Sequence, residues 1–114
     1  MEQILLSTVI MSLLVSSEST LIYNRASQKP PLVEVPNDIG YNVKEIDLSN
    51  NELFNISGKF YNLTSLEKLN LRRNKFTVFP DLRAVGSTLK KLNLGYNLLA
   101  EIPYDMIQPL TMLY

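Results

Sequence analysis

Asparagine recurs at Asn51, Asn74 and Asn97, at intervals of 23 residues, and each copy sits in the same apolar frame. Val43, Ile46, Leu48, Asn51, Leu53 and Ile56 form one row. Leu66, Leu69, Leu71, Asn74, Phe76 and Phe79 form the second, and Leu89, Leu92, Leu94, Asn97, Leu99 and Ile102 the third. Self-similarity at a fixed period of 20–50 residues is the mark of a chain that coils once per repeat and stacks its coils. A solenoid is therefore the fold this sequence specifies.

The spacing within a row has a physical reading. Positions 4 and 6 are two apart, so Ile46/Leu48, Leu69/Leu71 and Leu92/Leu94 share one face of a short strand and point into the stack. At position 9 the chain turns inward, burying backbone groups that water can no longer reach. An asparagine amide offers both a donor and an acceptor to such groups. A row of stacked asparagines is expected to bond the loop backbone of its own coil and of the adjacent one.

The pattern L-x-x-L-x-L-x-x-N-x-L-x-x-L/F resembles the leucine-rich repeat family. The resemblance implies an α/β-type solenoid, an arc with short parallel β-strands on the concave face and a mostly irregular, turn-rich convex side. Phe60 and Leu63 lead into Leu66, and Ile107 and Leu110 lead into Leu113, with the spacing of the family's typical, extracellular-type subclass. The return leg of the middle repeat, Pro80 to Thr88, offers only Leu82 and Val85 and carries Gly86, so a less regular convex side is expected there.

The remaining boundaries follow from composition. Ile4 to Val15 is an apolar run of twelve residues, interrupted only by Ser7, Thr8 and Ser12. It is too short for a membrane-spanning helix, which takes about 20 residues. With the small residues Ser16, Ser17 and Ser19 behind it, residues 1–19 read as a secretory signal peptide, although the acidic Glu2 stands where a basic start is usual. Residues 20–31, polar and closed by Pro30-Pro31, read as a linker. Residues 32–42 resemble the second half of the N-terminal cap that precedes extracellular leucine-rich repeats, here without the family's cysteines. Repeats one, two and three then occupy 43–65, 66–88 and 89–112. Leu113 lies 24 residues after Leu89, so 113–114 reads as the start of a fourth, truncated repeat. The outer edge of the third coil invites either further repeats or edge-to-edge self-association.

Composition narrows the function. Eleven basic and eleven acidic residues cancel, so no overall field draws the chain to nucleic acid or to anionic membrane. Histidine, cysteine and tryptophan are absent, which removes imidazole acid/base catalysis, thiol nucleophiles and most transition-metal sites. No catalytic, cofactor or metal residues are expected, and binding is the function class that remains. Two N-x-S/T sequons, at Asn55 and Asn62, are about what eleven asparagines and sixteen Ser/Thr residues produce by chance; in a secreted chain both are candidate N-glycosylation sites and would shield that flank.

Strand positions 2, 3, 5, 7 and 8 are expected to face a partner. Across three coils they include six basic and three acidic residues, a local net charge of +3 in a neutral chain. Lys68, Asn70, Arg72, Arg73, Lys90, Lys91, Asn93 and Tyr96 are the expected contact residues, with the basic ones forming a patch and Tyr96 an aromatic anchor. A protein ligand with an acidic surface, or a sulfated glycan, fits that patch. Nucleic acid does not, because Tyr96 has no aromatic neighbours to build a stacking platform. The resemblance implies an extracellular or cell-surface recognition module of the receptor, adhesion or innate-immune kind. An intracellular scaffold or regulatory subunit is the alternative, and a small matrix proteoglycan shares the same fold.

Overall fold

The computed structural model describes residues 21–110. The signal peptide expected at 1–19 and the fourth repeat expected from Leu113 lie outside the described residues.

Four three-residue strands, β1 (Ile22–Asn24), β2 (Glu45–Asp47), β3 (Lys68–Asn70) and β4 (Lys91–Asn93), form one parallel sheet in the order β1-β2-β3-β4. Every strand is in register with the next at a spacing of 23 residues, as in Tyr23↔Ile46, Ile46↔Leu69 and Leu69↔Leu92. The ladder continues beyond the strands. The Arg25 amide donates to the Asp47 carbonyl, that of Leu48 to Asn70, and that of Leu71 to Asn93, at 2.8–2.9 Å. The sheet lines the concave side of a short arc, and turns occupy most of the opposite side.

Side chains from positions 4, 6 and 11 fill the space behind the sheet. Ile46, Leu48, Leu53, Leu69, Leu71 and Phe76 are buried to 2 % exposure or less, and Phe60, Leu63 and Leu66 close the coil of β2 from the return side. Stacking lets each coil bury what it could not bury alone.

Two sequence expectations are corrected here. The stretch 20–31, expected as a linker, carries β1 and the first half of a complete coil. It was obscured because positions 4, 6 and 9 hold Tyr23, Arg25 and Gln28 in place of two aliphatic residues and an asparagine. Two extra residues also precede Leu32, which accepts from the Glu52 amide and donates to Asn51 Oδ1 as Leu53 does to Asn74. Tyr23 and Arg25 both bond Asp38, at 2.6 and 3.1 Å, which ties the coil's strand to its return leg without a disulfide.

The second correction concerns the middle return leg. Some regular structure does form there: Arg83–Val85 makes a 3-10 turn, and Leu82 and Val85 are almost fully buried. Gly86 is there for proximity, since a Cβ at this position would stand 2.5 Å from the Pro109 carbonyl oxygen of the next coil. That next coil ends in a single helical turn, α1 (Tyr104–Ile107).

Candidate interaction surface

The turns after the strands set the geometry of the concave face. Asn51 Oδ1 accepts from the Leu32 amide at 2.9 Å, while its Nδ2 donates to the carbonyls of Arg25, Leu48 and Ser49. Asn74 repeats this one coil later, accepting from Leu53 and donating to Leu48, Leu71 and Arg72. Asn97 accepts from Phe76 and donates to Leu71, Leu94 and Gly95. Each asparagine thus fastens its own coil to the one before.

A second polar row runs beside the first. Asn24, Asp47, Asn70 and Asn93, one per strand at position 5, each accept with Oδ1 from the backbone amide two residues on, at 2.9–3.0 Å. These Asx turns favour the bend that leaves the sheet. Asn70 and Asn93, expected to meet a partner, therefore have their side-chain carbonyls engaged in holding the scaffold. The 23-residue spacing of this row is visible in the sequence and, had it been followed back to Asn24, would have revealed the first coil.

Position 8 follows in a left-handed conformation in all four coils: Ser27, Asn50, Arg73 and Tyr96 have φ between 53° and 58°. The bend lets the amides of Ser27, Asn50 and Arg73 donate to position 7 of the next coil. Asparagine suits this conformation, whereas larger L-residues are strained in it. Arg73 and Tyr96 occupy it nonetheless.

The side chains of that pair, with Arg72, form one cluster. The Arg72 guanidinium lies 4.4 Å from the centre of the Tyr96 ring and that of Arg73 4.8 Å, both within cation–π range. Arg72 lies beside Gly95, and it is the Asn93 side-chain oxygen, 3.1 Å from where a Cβ would stand, that a larger residue at 95 would crowd. Tyr96 remains 68 % exposed.

The lysines behave differently. Lys68 pairs with Glu45 at 3.3 Å, and Lys90 with Glu67 at 3.6 Å. Both bridges join neighbouring coils across the face, so these two cations are partly neutralised. Lys91 stands directly across from Lys68 in the β3–β4 register. An open groove of about 300 Å³ runs across the strands here, lined by Glu45, Lys68, Lys91, Asp47, Asn70 and Asn93. The expected eight-residue surface thus resolves into an arginine–tyrosine cluster, a groove with two facing lysines, and two asparagines with a structural duty. Among the described residues, no group of three or more His, Cys, Asp or Glu side chains could hold a metal ion. No described helix is long and apolar enough to cross a membrane.

Residues 42–63 and 65–83 match the family model described as Leucine Rich Repeat. The match at these two stretches supports a leucine-rich repeat family. The matched stretches contain β2, β3 and the first two asparagines of the ladder, so the family pattern and the observed hydrogen bonding coincide. A search of curated proteins found no match. Leucine-rich repeats point to a protein–protein interaction module and away from catalysis, and the concave face of these repeats is where one would be built.

Proposed function

We propose that the chain is a recognition module that takes an acidic surface of a partner protein on its concave face, centred on Arg72, Arg73, Tyr96 and Lys91. The observation that carries this reading is the placement of like charges. Lys68 and Lys91 are opposite one another on adjacent strands; Lys68 is drawn to Glu45, and Lys91 has no acidic partner among the described residues. Arg72 and Arg73 gather about one tyrosine with no acidic partner among the described residues. A carboxylate arriving over the groove would pair with Lys91, and bidentate contacts from the arginines would hold it. Tyr96, exposed and aromatic, supplies contact area at low conformational cost. A sulfated glycan offers the same charge chemistry.

Titration with a fluorescent oligoglutamate peptide, and separately with a sulfated oligosaccharide, tests this. The wild-type chain should bind the peptide, more weakly as salt rises, and Arg72→Glu with Arg73→Glu should abolish it. Binding that survives the double reversal would retire the proposal. Tighter binding of the sulfated oligosaccharide would replace the protein partner with a glycan.

We propose an extracellular setting for the module; the apolar run at Ile4 to Val15 and the return-leg spacing support it. The intracellular alternative draws on one feature, a first coil tied by Tyr23, Arg25 and Asp38 in place of cysteines, which serves equally in a reducing compartment. Expression in a secreting cell, with assay of medium and cytosol before and after glycosidase treatment, separates the two.

A further inference from the structure

A depression lies away from the concave face, between the second and third coils on their return side. It holds about 480 Å³, within the range of about 300–1,000 Å³ typical of small-molecule sites. Its walls include Phe54, Tyr61, Phe76, Val78 and Phe79. Phe54, Tyr61 and Val78 are 57 %, 79 % and 72 % exposed. These exposed rings and the Val78 side chain give the depression an apolar lining open to solvent.

Asn55 stands on the rim of this depression, as do Ser57 and Gly58. Asn55-Ile56-Ser57 is an N-x-S sequon, and its conformation is distinctive. The Ser57 hydroxyl donates to Asn55 Oδ1. Ser57 and Gly58 turn the chain through two successive left-handed conformations, φ 49° and 66°. Asn55 is exposed, and among the described residues its Nδ2 has no hydrogen-bond partner. Ile56 between them is buried and anchors the turn. The other sequon differs: Asn62 is exposed and lies outside the depression, and among the described residues Thr64 reaches it only through a backbone contact of 3.1 Å.

We propose that Asn55 carries an N-linked glycan whose first N-acetylglucosamine lies in this depression, against Phe54 and Tyr61. The bond forms between Nδ2 and the anomeric carbon of an oligosaccharide donated from a polyprenyl pyrophosphate. The anomeric carbon–oxygen bond to the pyrophosphate breaks, the polyprenyl pyrophosphate departs with the electron pair, and it takes up the one proton that Nδ2 gives up. Carbonyl polarisation by the Ser57 hydroxyl favours that loss. Once attached, the sugar is tethered at the rim, so it reaches the aromatic rings at high effective concentration. The apolar face of a pyranose ring covers aromatic surface, while its hydroxyls and the rest of the glycan restore a polar exterior. The asparagine row and the concave face are left clear. The inference rests on the extracellular reading above, since the modification requires passage through the secretory lumen.

The test uses the full chain in a secreting cell line, as wild type, Asn55→Gln and Asn62→Gln. Glycopeptide mass spectrometry should find Asn55 occupied. The Asn62→Gln product, trimmed to a single N-acetylglucosamine, should give NMR cross-peaks between sugar protons and the rings of Phe54 and Tyr61. It should also melt about 4 °C or more above Asn55→Gln, the scale expected for a contact of this kind in a small domain. Phe54→Ser with Tyr61→Ser, both at exposed positions, should erase the cross-peaks and that difference. Recovery of the chain in the medium with Asn55 unmodified overturns the inference and leaves the extracellular reading standing. Occupancy of Asn55 with no cross-peaks and no difference in melting overturns the seating of the sugar. Retention of the unmodified chain in the cytosol overturns both the extracellular reading and the inference.

Discussion

The first and last coils present the same backbone and finish it with opposite chemistry. At positions 4 and 6 the first coil has Tyr23 and Arg25, whose polar ends meet on Asp38. The last coil has Leu92 and Leu94, which pack against the core but stay half-buried. Between them, Ile46, Leu48, Leu69 and Leu71 are buried to 2 % or less. The comparison shows how a stack can close an end without changing its fold. Two side chains whose stems pack inward and whose tips bond outside replace two that need another coil beside them.

The largest effect that tests this is a matched truncation at position 6. Leu71→Ala removes a fully buried side chain from the middle of the stack and should cost about 2–5 kcal/mol. Leu94→Ala removes the equivalent side chain where it is half-exposed and should cost less than half as much in the same urea titration. Equal losses would mean that the last coil is as well packed as the middle.

The asparagine row gives the next contrast. Asn74 is 6 % exposed and satisfies four backbone groups in two coils, so Asn74→Ala should cost at the upper end of about 1–3 kcal/mol. Asn97 makes the same four bonds in a more exposed setting, where water can replace some of them. Asn97→Ala should be the milder change. A larger loss for Asn97 would reverse the order of burial along the stack.

The polar end titrates. The Tyr23 hydroxyl donates to Asp38 and, more than any other contact, holds its carboxyl below the usual range, with Arg25 beside it. Burial, and then the same bond, push the Tyr23 phenol up. A carboxylate with a depressed folded-state pKa stabilises the fold above its unfolded value of about 3.9 and loses that stabilisation as pH falls through the folded value. Wild type should therefore weaken in acid more steeply than Asp38→Asn, a difference that thermal melts from pH 6 down to the acid transition will expose. Superimposable profiles would leave the Asp38 contacts with no role in closing the first coil. Asp81, held down to about 2 by Arg83, belongs to the third coil and should contribute alike in both proteins.

Much of this was legible in the sequence. The apolar frame and Asn51, Asn74 and Asn97 carried the fold, because burial constrains those positions to a few residue types. The first coil was hidden for the complementary reason: the polar ends of Tyr23 and Arg25 are satisfied on Asp38, so Tyr23, Arg25 and Gln28 match no apolar template. The partner surface was readable only as an inventory. That Lys68 and Lys90 would be drawn to acids on the neighbouring coil, while Arg72 and Arg73 gather on Tyr96, depends on cross-strand geometry. So does the role of Asn70 and Asn93, whose side chains serve the turn as well as the surface.

The smallest effect concerns the bend that all four coils share. The first two fill the left-handed position with Ser27 and Asn50, the next two with Arg73 and Tyr96. A non-glycine residue there carries strain of about 1–3 kcal/mol, least for asparagine. Tyr96→Asn would relieve it but would also lose two cation–π contacts of roughly 0.5–1 kcal/mol each, so little net change is expected. Arg73→Asn loses one such contact and should stabilise the fold by about 0.5 kcal/mol, read as a higher urea midpoint at unchanged slope. The same variant should bind the oligoglutamate probe less well, because the guanidinium that leaves is one of those assigned to hold it. Gain of stability with loss of binding would mark Arg73 as kept for recognition against the preference of the bend. A less stable Arg73→Asn would instead make the arginine–tyrosine cluster a support for the end that Leu92 and Leu94 leave half-open.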